Sequence, residues 1–319
     1  MKYITDESMS IKDFLRRKVG ISAKMLSALK RDETGIMKNG VRATVTEFIG
    51  RGDILEINEF CSGKTDDKNL FSESRSHMPE NNSSSSVLLD IIYEDSHILS
   101  VNKPPYMPTH QSYLHRGDTL SDIVMAYMKK QNPSYIFRAV NRLDKDTSGI
   151  VLTAKDRITS SLLAKSMQNK EIEKSYIAVL SGCPDVSEGE IKTYIRRREE
   201  SIITREVCGE NEGGEFAVTH YKILFRHDNE CIVCARPVSG RTHQLRVHFS
   251  HIGCPIVGDT LYGIADTRID RQALHAYRLS FTHPHTRERV ILSAPLPDDM
   301  RKLITDMGFD CSAIMNLIL

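Results

Sequence analysis

The pattern of apolar and polar positions predicts a small N-terminal module. Ser10 and Ser22 each precede a stretch with helical periodicity, and serine is a favoured N-cap, so two short helices are expected. The Asn39-Gly40 pair between strand-like residues is a strong hairpin signal, and residues 52–57 resemble a closing strand. We therefore predict a helix–helix–hairpin domain over residues 1–60.

A serine-rich stretch separates this module from the rest of the chain. Eight of the 26 residues in 61–86 are Ser and few are large and apolar, which predicts a flexible linker. Strand-like runs then fall near residues 91–101, 150–152 and 175–180, and Asp156 can cap a helix that ends at about Gln168. Strands and helices mix without a βαβ rhythm, so residues 87–319 are predicted to form one α+β domain.

Composition excludes several classes of protein. With 40% apolar and 27% charged residues the chain resembles a globular protein and not a disordered or collagen-like one. The longest run without Asp, Glu, Lys or Arg is twelve residues, short of the ~18 that a membrane-spanning helix needs. The N-terminus lacks the pattern of a secretory signal, and seven scattered cysteines fit reduced thiols. We expect a cytoplasmic protein that does not enter a membrane.

Positive charge is concentrated in the N-terminal module. The whole chain has 43 Lys or Arg and 42 Asp or Glu, a net charge of +1 that says little about partners. Residues 10–51 alone contain ten basic and four acidic residues, an excess of six positive charges. The distribution of charge, and not its total, therefore points to the region that would meet a polyanion.

The first candidate for chemistry is the polar loop of residues 141–149, just before an apolar strand. Arg142 and Lys145 flank Asp144 and favour its charged form, so this carboxylate suits a nucleophile or a base rather than a general acid. The alternative is that Asp144 or Asp146 only closes a turn by accepting backbone N–H groups. The loop by itself does not decide between the two.

The second candidate is a predicted helix that begins near Arg241. Three apolar residues recur at helical spacing as a buried stripe: Leu245, Phe249 and Ile252. Thr242 is a possible cap and Gly253 a possible stop. Free backbone N–H groups and a guanidinium at one point suit a phosphate or a carboxylate. The alternative is a helix with a solvated basic face.

The histidines and cysteines of this region do not form a zinc pattern. Their spacing differs from the Cys-x-x-Cys plus His-x-x-x-His arrangement of structural zinc sites: His243, His248, His251 and Cys254. Cys231 and Cys234 lie in a predicted strand, where alternation places their thiols on opposite faces. No metal is expected.

Lys174 and Tyr176 open a predicted strand and form a third candidate. A tyrosine can act as a base near neutral pH only where cations stabilise the phenolate, and Lys174 or Arg241 could do so. Tyrosines at strand starts are more often packing residues, so a purely structural Tyr176 is the alternative.

In combination, these motifs resemble those of the RluA-type RNA pseudouridine synthases. The resemblance rests on an ordered set: Lys103-Pro104, Arg142-Leu143-Asp144, Thr147-Ser148-Gly149, Lys174-x-Tyr176, the run from Gly240 to His248, the run from Gly253 to Asp259, and Tyr262-Gly263. It spans about residues 87–297, and residues 10–57 resemble an S4-like RNA-binding module. The chain departs from the family pattern at Asn141, where His is usual, and at Pro105, where the family continues with Gly.

The resemblance implies a fold and a reaction. The fold is a mixed, mainly antiparallel sheet preceded by a small S4-like α/β module. The reaction breaks the N-glycosidic bond of a uridine, turns the uracil and joins C5 to the ribose, without a cofactor or a metal. Asp144 would attack C1′ or remove the C2′ proton, and Tyr176 would stack on the base and help to remove the C5 proton. Arg241 would hold Asp144 and the target phosphate in register, although the roles of Arg241 and Arg142 are interchangeable at this point.

The resemblance also implies an RNA-binding surface and a substrate. Arg142 is expected at the RNA backbone or in the space that a flipped nucleotide leaves. The further RNA-binding candidates are Lys174, His243, Gln244 and Arg246 near the reacting carboxylate, and Arg16, Arg17, Lys24, Lys30 and Arg31 in the N-terminal module. We expect a monomer that modifies large-subunit (23S) ribosomal RNA without an obligatory protein partner. The alternatives are transfer RNA as the substrate, a non-catalytic ribosome-assembly factor, and a metal-dependent hydrolase.

Overall fold

A computed structural model describes residues 1–58, 89–112, 115–311 and 314, and these residues separate into two compact units. The first unit contains the described residues up to 58 together with Asp156–Lys165, and the second contains the remainder. The predicted linker at 61–86 lies outside the described residues. The domain limits of 1–60 and 87–319 stay predictions, and the grouping of Asp156–Lys165 with the first unit was not anticipated.

Serine caps begin both helices of the first unit, as predicted. The helices are α1 (Ile11–Asp13), which continues as a π-helical turn over Phe14–Lys18, and α2 (Ala23–Arg31). The Ser10 and Ser22 hydroxyls each accept a hydrogen bond from the backbone N–H three residues ahead, at 3.1 Å. Gly20 follows the first helix with a φ of +82°, a conformation that ends helices and favours glycine.

Short strands complete the first unit: β1 (Lys2–Ile4), β2 (Met9–Ser10), β3 (Ile36–Lys38), β4 (Val41–Arg42), β5 (Phe48–Ile49) and β6 (Ile54–Ile57). Four of them form an antiparallel sheet in the order β1-β6-β3-β4. The predicted hairpin is confirmed, because Asn39 and Gly40 both have positive φ between β3 and β4. Leu15, Leu29 and Ile158 are buried in a core that belongs to this unit alone.

One large sheet forms the second unit. Its strands are β7 (Ile91–Glu94), β8 (Ile98–Lys103), β9 (Ser148–Ala154), β10 (Glu173–Ser181), β11 (Glu188–Arg197), β12 (Arg205–Cys208), β13 (Glu215–His227), β14 (Glu230–Pro237), β15 (Leu274–Thr282) and β16 (Arg289–Ser293). They follow the order β12-β11-β13-β14-β10-β15-β9-β8-β7, and β16 pairs with β15. Only the β9–β15 pairing among these strands is parallel. The predicted α+β class with a mixed, mainly antiparallel sheet is confirmed.

Three helices belong to the second unit: α3 (Leu120–Lys129), α5 (Gln244–His251) and α6 (Asp298–Asp306). Helix α4 (Arg157–Gln168) begins in the segment that groups with the first unit. Asp156 caps α4 as predicted, accepting the Thr159 N–H at 2.7 Å. Thr242 does not cap α5, because His243 occupies the cap position with no side-chain cap bond. Across the described ranges, no helix has the length and apolarity that crossing a membrane requires.

The centre of the sheet positions the chemically interesting residues. β9 follows the loop of residues 141–147, β10 begins with Lys174 and Tyr176, and the connection after β14 leads into α5. The interior of β9, β10 and β14 is buried, with Val151, Ile177 and Ile232 fully inaccessible. A well-packed core of this kind leaves little freedom to the segments that emerge from it.

Gly149 marks the closest approach of two strands. It pairs in register with Ala276 of β15 and has a φ of +112°. A Cβ atom at this position would meet the Ala276 carbonyl group at a distance that real Cβ atoms do not show. The absence of a side chain is therefore what lets β9 lie against β15 directly after the polar loop.

We expect Gly149→Ala to lower the free energy of unfolding of the second unit by at least about 2 kcal/mol, since backbone strain adds to a clash with β15. Gly213→Ala is the matched control, because Gly213 has a φ of +75° with open space around it. That variant should lose only about 1–2 kcal/mol. Urea unfolding followed by circular dichroism measures both, and equal losses would contradict the close approach.

Candidate active site

Asn141 attaches the start of the Asp144 loop to strand β9. Its side-chain amide donates to the Ile150 carbonyl at 3.0 Å, and its carbonyl accepts the Leu152 N–H at 2.8 Å. The side chain is buried, so both backbone groups would otherwise lack a partner in this interior. The departure from the family's usual His is therefore compatible with an ordered loop, because an amide supplies one donor and one acceptor here.

Side chains from other segments hold successive residues of the same loop. The contacts are Thr109 Oγ1 to the Leu143 carbonyl (2.9 Å), Lys103 Nζ to the Lys145 carbonyl (2.9 Å), Arg271 Nη1 to the Asp146 carbonyl (3.0 Å) and Gln272 Nε2 to Thr147 Oγ1 (3.1 Å). Together they fix the backbone on both sides of Asp144. Such preorganisation keeps a reacting group in one geometry before the substrate arrives.

Two of these supports are buried cations that sequence reasoning did not single out as functional. Lys103 Nζ also donates to the carbonyls of Pro104 and Met107, each at 2.8 Å, and burial lowers the pKa of Lys103 to about 7. Arg271 forms a bidentate ion pair with Asp299 of α6 at 2.6 and 2.9 Å. The motif Lys103-Pro104 was a visible signal, whereas nothing local distinguished Arg271.

Arg246 is the arginine beside the Asp144 carboxylate. Its Nη1 lies 3.6 Å from Asp144 Oδ2, and its Nε and Nη2 form a bidentate pair with Asp259, both at 2.7 Å. Burial by itself would lower the pKa of Arg246, but the hydrogen bonds to Asp259 and the charge of Asp144 raise it. One buried cation is therefore shared by two carboxylates.

The expectation that Arg241 holds Asp144 is wrong. Its Nη1 pairs with Glu215 at 2.7 Å, and its Nε donates to the Phe216 carbonyl at 3.2 Å. Arg246, which was expected to contact RNA, occupies the place that was assigned to Arg241. Both arginines belong to the same short motif, and only the packing of α5 determines which of them turns inward.

Gln244 has a structural role and leaves no polar atom free for RNA, contrary to expectation. Its Oε1 accepts from Ser239 Oγ (2.8 Å) and the Arg241 N–H (3.0 Å), and its Nε2 donates to the Val218 carbonyl (2.9 Å) and Thr219 Oγ1 (3.0 Å). All four bonds lie inside the protein. Gln244 thereby connects the start of α5 to β13.

Tyr176 presents a neutral phenol to the site. Its side chain is 8% exposed, and within the described residues its hydroxyl has no hydrogen-bond partner. Burial raises the pKa of Tyr176, and the charge of Asp144 raises it further. The idea that Lys174 or Arg241 stabilises a phenolate is therefore not supported by the electrostatics. The ring and the intact hydroxyl are what Tyr176 offers a substrate.

Two cations remain available to an anionic ligand. Lys174 has neither a hydrogen bond nor an ion pair in the described part of the chain, and burial lowers the pKa of its ammonium group. The Arg142 guanidinium is exposed and makes one side-chain contact, a 3.3 Å hydrogen bond to Thr242 Oγ1. Both side chains therefore suit a phosphate at the rim of the site.

All eight predicted site residues of the second unit line one cavity: Arg142, Asp144, Lys174, Tyr176, Arg241, His243, Gln244 and Arg246. Its volume is about 260 Å³, and Asp144 is the only carboxylate among its described lining residues. Pockets for drug-sized ligands hold about 300–1,000 Å³, so this one suits a single nucleoside. The structure thus brings together residues that lie far apart in the sequence.

The five candidates in the first unit are all exposed, but they are not equivalent. Arg16 donates to the Ile21 carbonyl at 2.6 Å, and Arg17 pairs with Asp13 at 3.2 Å. Within the described residues, the other three have no hydrogen bond or ion pair: Lys24, Lys30 and Arg31. These three are the stronger candidates for contacts with phosphates.

Comparisons with known proteins identify the family. A family model described as RNA pseudouridylate synthase matches residues 97–251. An uncharacterized RNA pseudouridine synthase of Bacillus subtilis is 36% identical over 93% of this chain and 98% of its own. Ribosomal large subunit pseudouridine synthase D of Xanthomonas campestris is 31% identical over 86% and 87% of the two chains. The solved structure of human RNA pseudouridylate synthase domain containing 1 is 27% identical with a TM-score of 0.54, and the match covers 70% of this chain and 96% of that one. The chain therefore belongs to the RNA pseudouridylate synthase family.

Proposed function

We propose that the protein isomerises uridines of large-subunit ribosomal RNA to pseudouridine, with Asp144 as the reacting carboxylate. The observation that carries the proposal is the position of Asp144 in the cavity, beside the buried Arg246 and on a loop whose backbone is fixed. The relative from Xanthomonas campestris, which carries a large-subunit enzyme's name, supports this choice of RNA. A monomeric, cytoplasmic enzyme without a cofactor stays our prediction.

The proposed reaction begins with the carboxylate of Asp144. The carboxylate attacks C1′ of the ribose or removes the C2′ proton, and the bond between C1′ and N1 of uracil breaks. The freed uracil turns and C5 bonds to C1′, while the bond from Asp144 to C1′ breaks in the first route or Asp144 returns the proton to C2′ in the second. The regenerated carboxylate takes the C5 proton and N1 gains one, so substrate and product are isomers. Arg246 supports the carboxylate, and its second partner Asp259 keeps it from pairing with Asp144 alone.

Tyr176 stacks against the uracil in this proposal and does not act as its base. A phenol whose pKa is raised by burial keeps its own proton near neutral pH, so it cannot take the C5 proton. Asp144 is the carboxylate in the cavity that takes the C5 proton in this proposal. Lys174 and Arg142 bind the phosphates that flank the target nucleotide, and the extruded base enters the cavity.

The first unit is proposed to be an S4-like RNA-binding module. Support comes from its two capped helices, its hairpin and the exposed cations on α2. Lys24 and Arg31 are seven residues apart and therefore share a face of that helix. Cations that neutralise phosphates supply affinity without reading sequence, which suits a module that adds binding energy to a separate catalytic site.

Asp144→Asn should reduce the release of tritium from C5-labelled uridine in ribosomal RNA transcripts by at least about 10³-fold, because the amide cannot act as a nucleophile or base. Asp146→Asn is the control: its carboxylate has no hydrogen bond in the described residues, so activity should stay within about threefold. Transfer RNA transcripts measured in parallel separate the two substrates. Undiminished tritium release by Asp144→Asn would refute the role of Asp144. If the wild type releases no tritium from either RNA, a non-catalytic binding factor is favoured.

Arg246→Lys should lower kcat by about 10²-fold, since lysine cannot contact Asp259 through two nitrogens while remaining beside Asp144. The thermal midpoint should fall as well, because a buried ion pair is disturbed. Arg241→Lys is the matched control, because the guanidinium of Arg241 pairs with Glu215 and does not contact Asp144. It should alter mainly KM, and equal losses of kcat in both variants would contradict the assignment of Arg246.

Replacing Lys24, Lys30 and Arg31 together by Ala should reduce the slope of log affinity against log salt by about 2 to 3, since each phosphate contact contributes roughly 0.7–0.9. The control replaces Lys2 and Lys18, which pair with Glu56 and Glu7 at 2.8 Å. Filter binding to ribosomal RNA at several salt concentrations measures the slope. An unchanged slope in the triple variant would show that the first unit does not bind RNA through these cations.

A further inference from the structure

Tyr262 lies against the active site without being part of the cavity lining. The carboxylate of Asp259 accepts the Tyr262 N–H at 3.2 Å, so the group that binds Arg246 also shapes the turn that carries Tyr262. The Arg246 guanidinium carbon is 5.1 Å from the centre of the Tyr262 ring. The rings of Tyr262 and His243 meet edge to face, with centroids 5.6 Å apart. Tyr262 is thus packed between two residues that face Asp144.

The hydrogen bonds of the Tyr262 hydroxyl indicate which atom accepts the proton of the phenol. The backbone N–H of Arg205 donates to Tyr262 Oη at 2.7 Å, and an N–H can only donate. The same oxygen lies 2.8 Å from His243 Nδ1. In the described residues Nδ1 is the one acceptor within hydrogen-bond distance of Oη, so the single proton of the phenol is assigned to Nδ1. The proton of a neutral imidazole then resides on Nε2.

The other side of the imidazole faces the reacting carboxylate. His243 Nε2 lies 3.9 Å from Asp144 Oδ2, and His243 lines the cavity. The His243 backbone has a φ of +57°, a conformation that non-glycine residues rarely adopt. Strain of this kind persists where surrounding contacts enforce it, and it concentrates at functional sites. Tyr262 supplies the side-chain hydrogen bond that holds the imidazole in this position.

We propose that Tyr262 is a positioning residue that fixes His243 as its Nε2–H tautomer, so that a neutral imidazole donates a hydrogen bond to an oxygen of the nucleotide beside Asp144. The inference rests on the proposed function, because it takes the cavity to hold the reacting uridine. It gives a role to a tyrosine that the catalytic set of Asp144, Tyr176 and Arg246 does not include.

Neutrality of the imidazole matters because a protonated His243 would pair with Asp144 and weaken it as a nucleophile or base. The groups that face His243 are Asp144 from its loop, Arg246 from α5, Arg205 from β12, and Asp259 and Tyr262 from the turn. Burial lowers the pKa of His243. Arg246 and Arg205 lower this pKa as well, whereas the carboxylates of Asp144 and Asp259 raise it. The Tyr262 hydroxyl favours the neutral ring further by donating to Nδ1.

The experiment compares kcat from pH 6 to 8.5 for the wild type, Tyr262→Phe, His243→Gln, His243→Ala and the double variant Tyr262→Phe/His243→Gln. Tyr262→Phe keeps the ring against Arg246 and loses only the hydroxyl, so the pKa of His243 rises. We expect the acid limb of kcat to move to higher pH by about 1 unit. Glutamine is a neutral donor that does not titrate, so His243→Gln should exceed His243→Ala in activity and abolish the shift in the double variant.

Tyr194→Phe is the control, because Tyr194 bonds Glu210 at 2.7 Å on the surface and should leave the profile unchanged. An equal loss of kcat at every pH in Tyr262→Phe would indicate a structural role only and overturn the proposal. A shift that persists in the His243→Gln background would overturn it too.

A second readout does not need activity. Nitrogen-15 chemical shifts of the His243 ring should report the Nε2–H tautomer in the wild type and a mixture in Tyr262→Phe. A wild-type enzyme without activity would then refute the proposed function, whereas a wild-type His243 imidazole with its proton on Nδ1 would refute the assignment of Tyr262.

Discussion

A single buried guanidinium organises the site. Arg246 must satisfy its charge inside the protein, because an unpaired buried ion costs several kcal/mol. It does so with Asp259 on one side and Asp144 on the other. Since Asp259 also accepts the backbone N–H groups of the following turn, three separate segments meet at one cation. The position of helix α5, the turn after Asp259 and the reacting loop are consequently coupled.

The Asp144 loop depends on a second set of buried donors. Lys103 and Arg271 direct their N–H groups at backbone carbonyls of the loop, and Asn141 bonds the backbone of β9. The role of these cations is to keep a short polar segment in one conformation where it leaves a packed sheet. Gly149 adds to this, because a Cβ atom at that position would clash with the Ala276 backbone of β15.

Asp144 is the only carboxylate among the described residues that line the cavity, and two of its neighbours there, Tyr176 and His243, are uncharged. Burial holds Tyr176 as a phenol and His243 as an uncharged imidazole, so neither competes with Arg246 for Asp144. Lys174 in the cavity and Lys24, Lys30 and Arg31 on α2 have no ion pair in the described residues, and they are suited to phosphates rather than to the reacting carbon. In the proposed function, Asp144 therefore reacts with the nucleotide, whereas Lys174 and the cations of α2 bind phosphates.

The sequence by itself determined several local elements, the α+β class and the residues that line the cavity with Asp144, whose catalytic role stays a prediction. Caps at Ser10 and Ser22 and the Asn39-Gly40 turn were readable because their hydrogen bonds form within a few residues. The prediction from sequence that Arg241 holds Asp144 was wrong, and the sequence did not reveal Tyr262 as a partner of His243. These assignments depend on burial and on contacts between distant segments, and local pattern carries no information about which of two nearby arginines turns inward. Only the tertiary structure decided them.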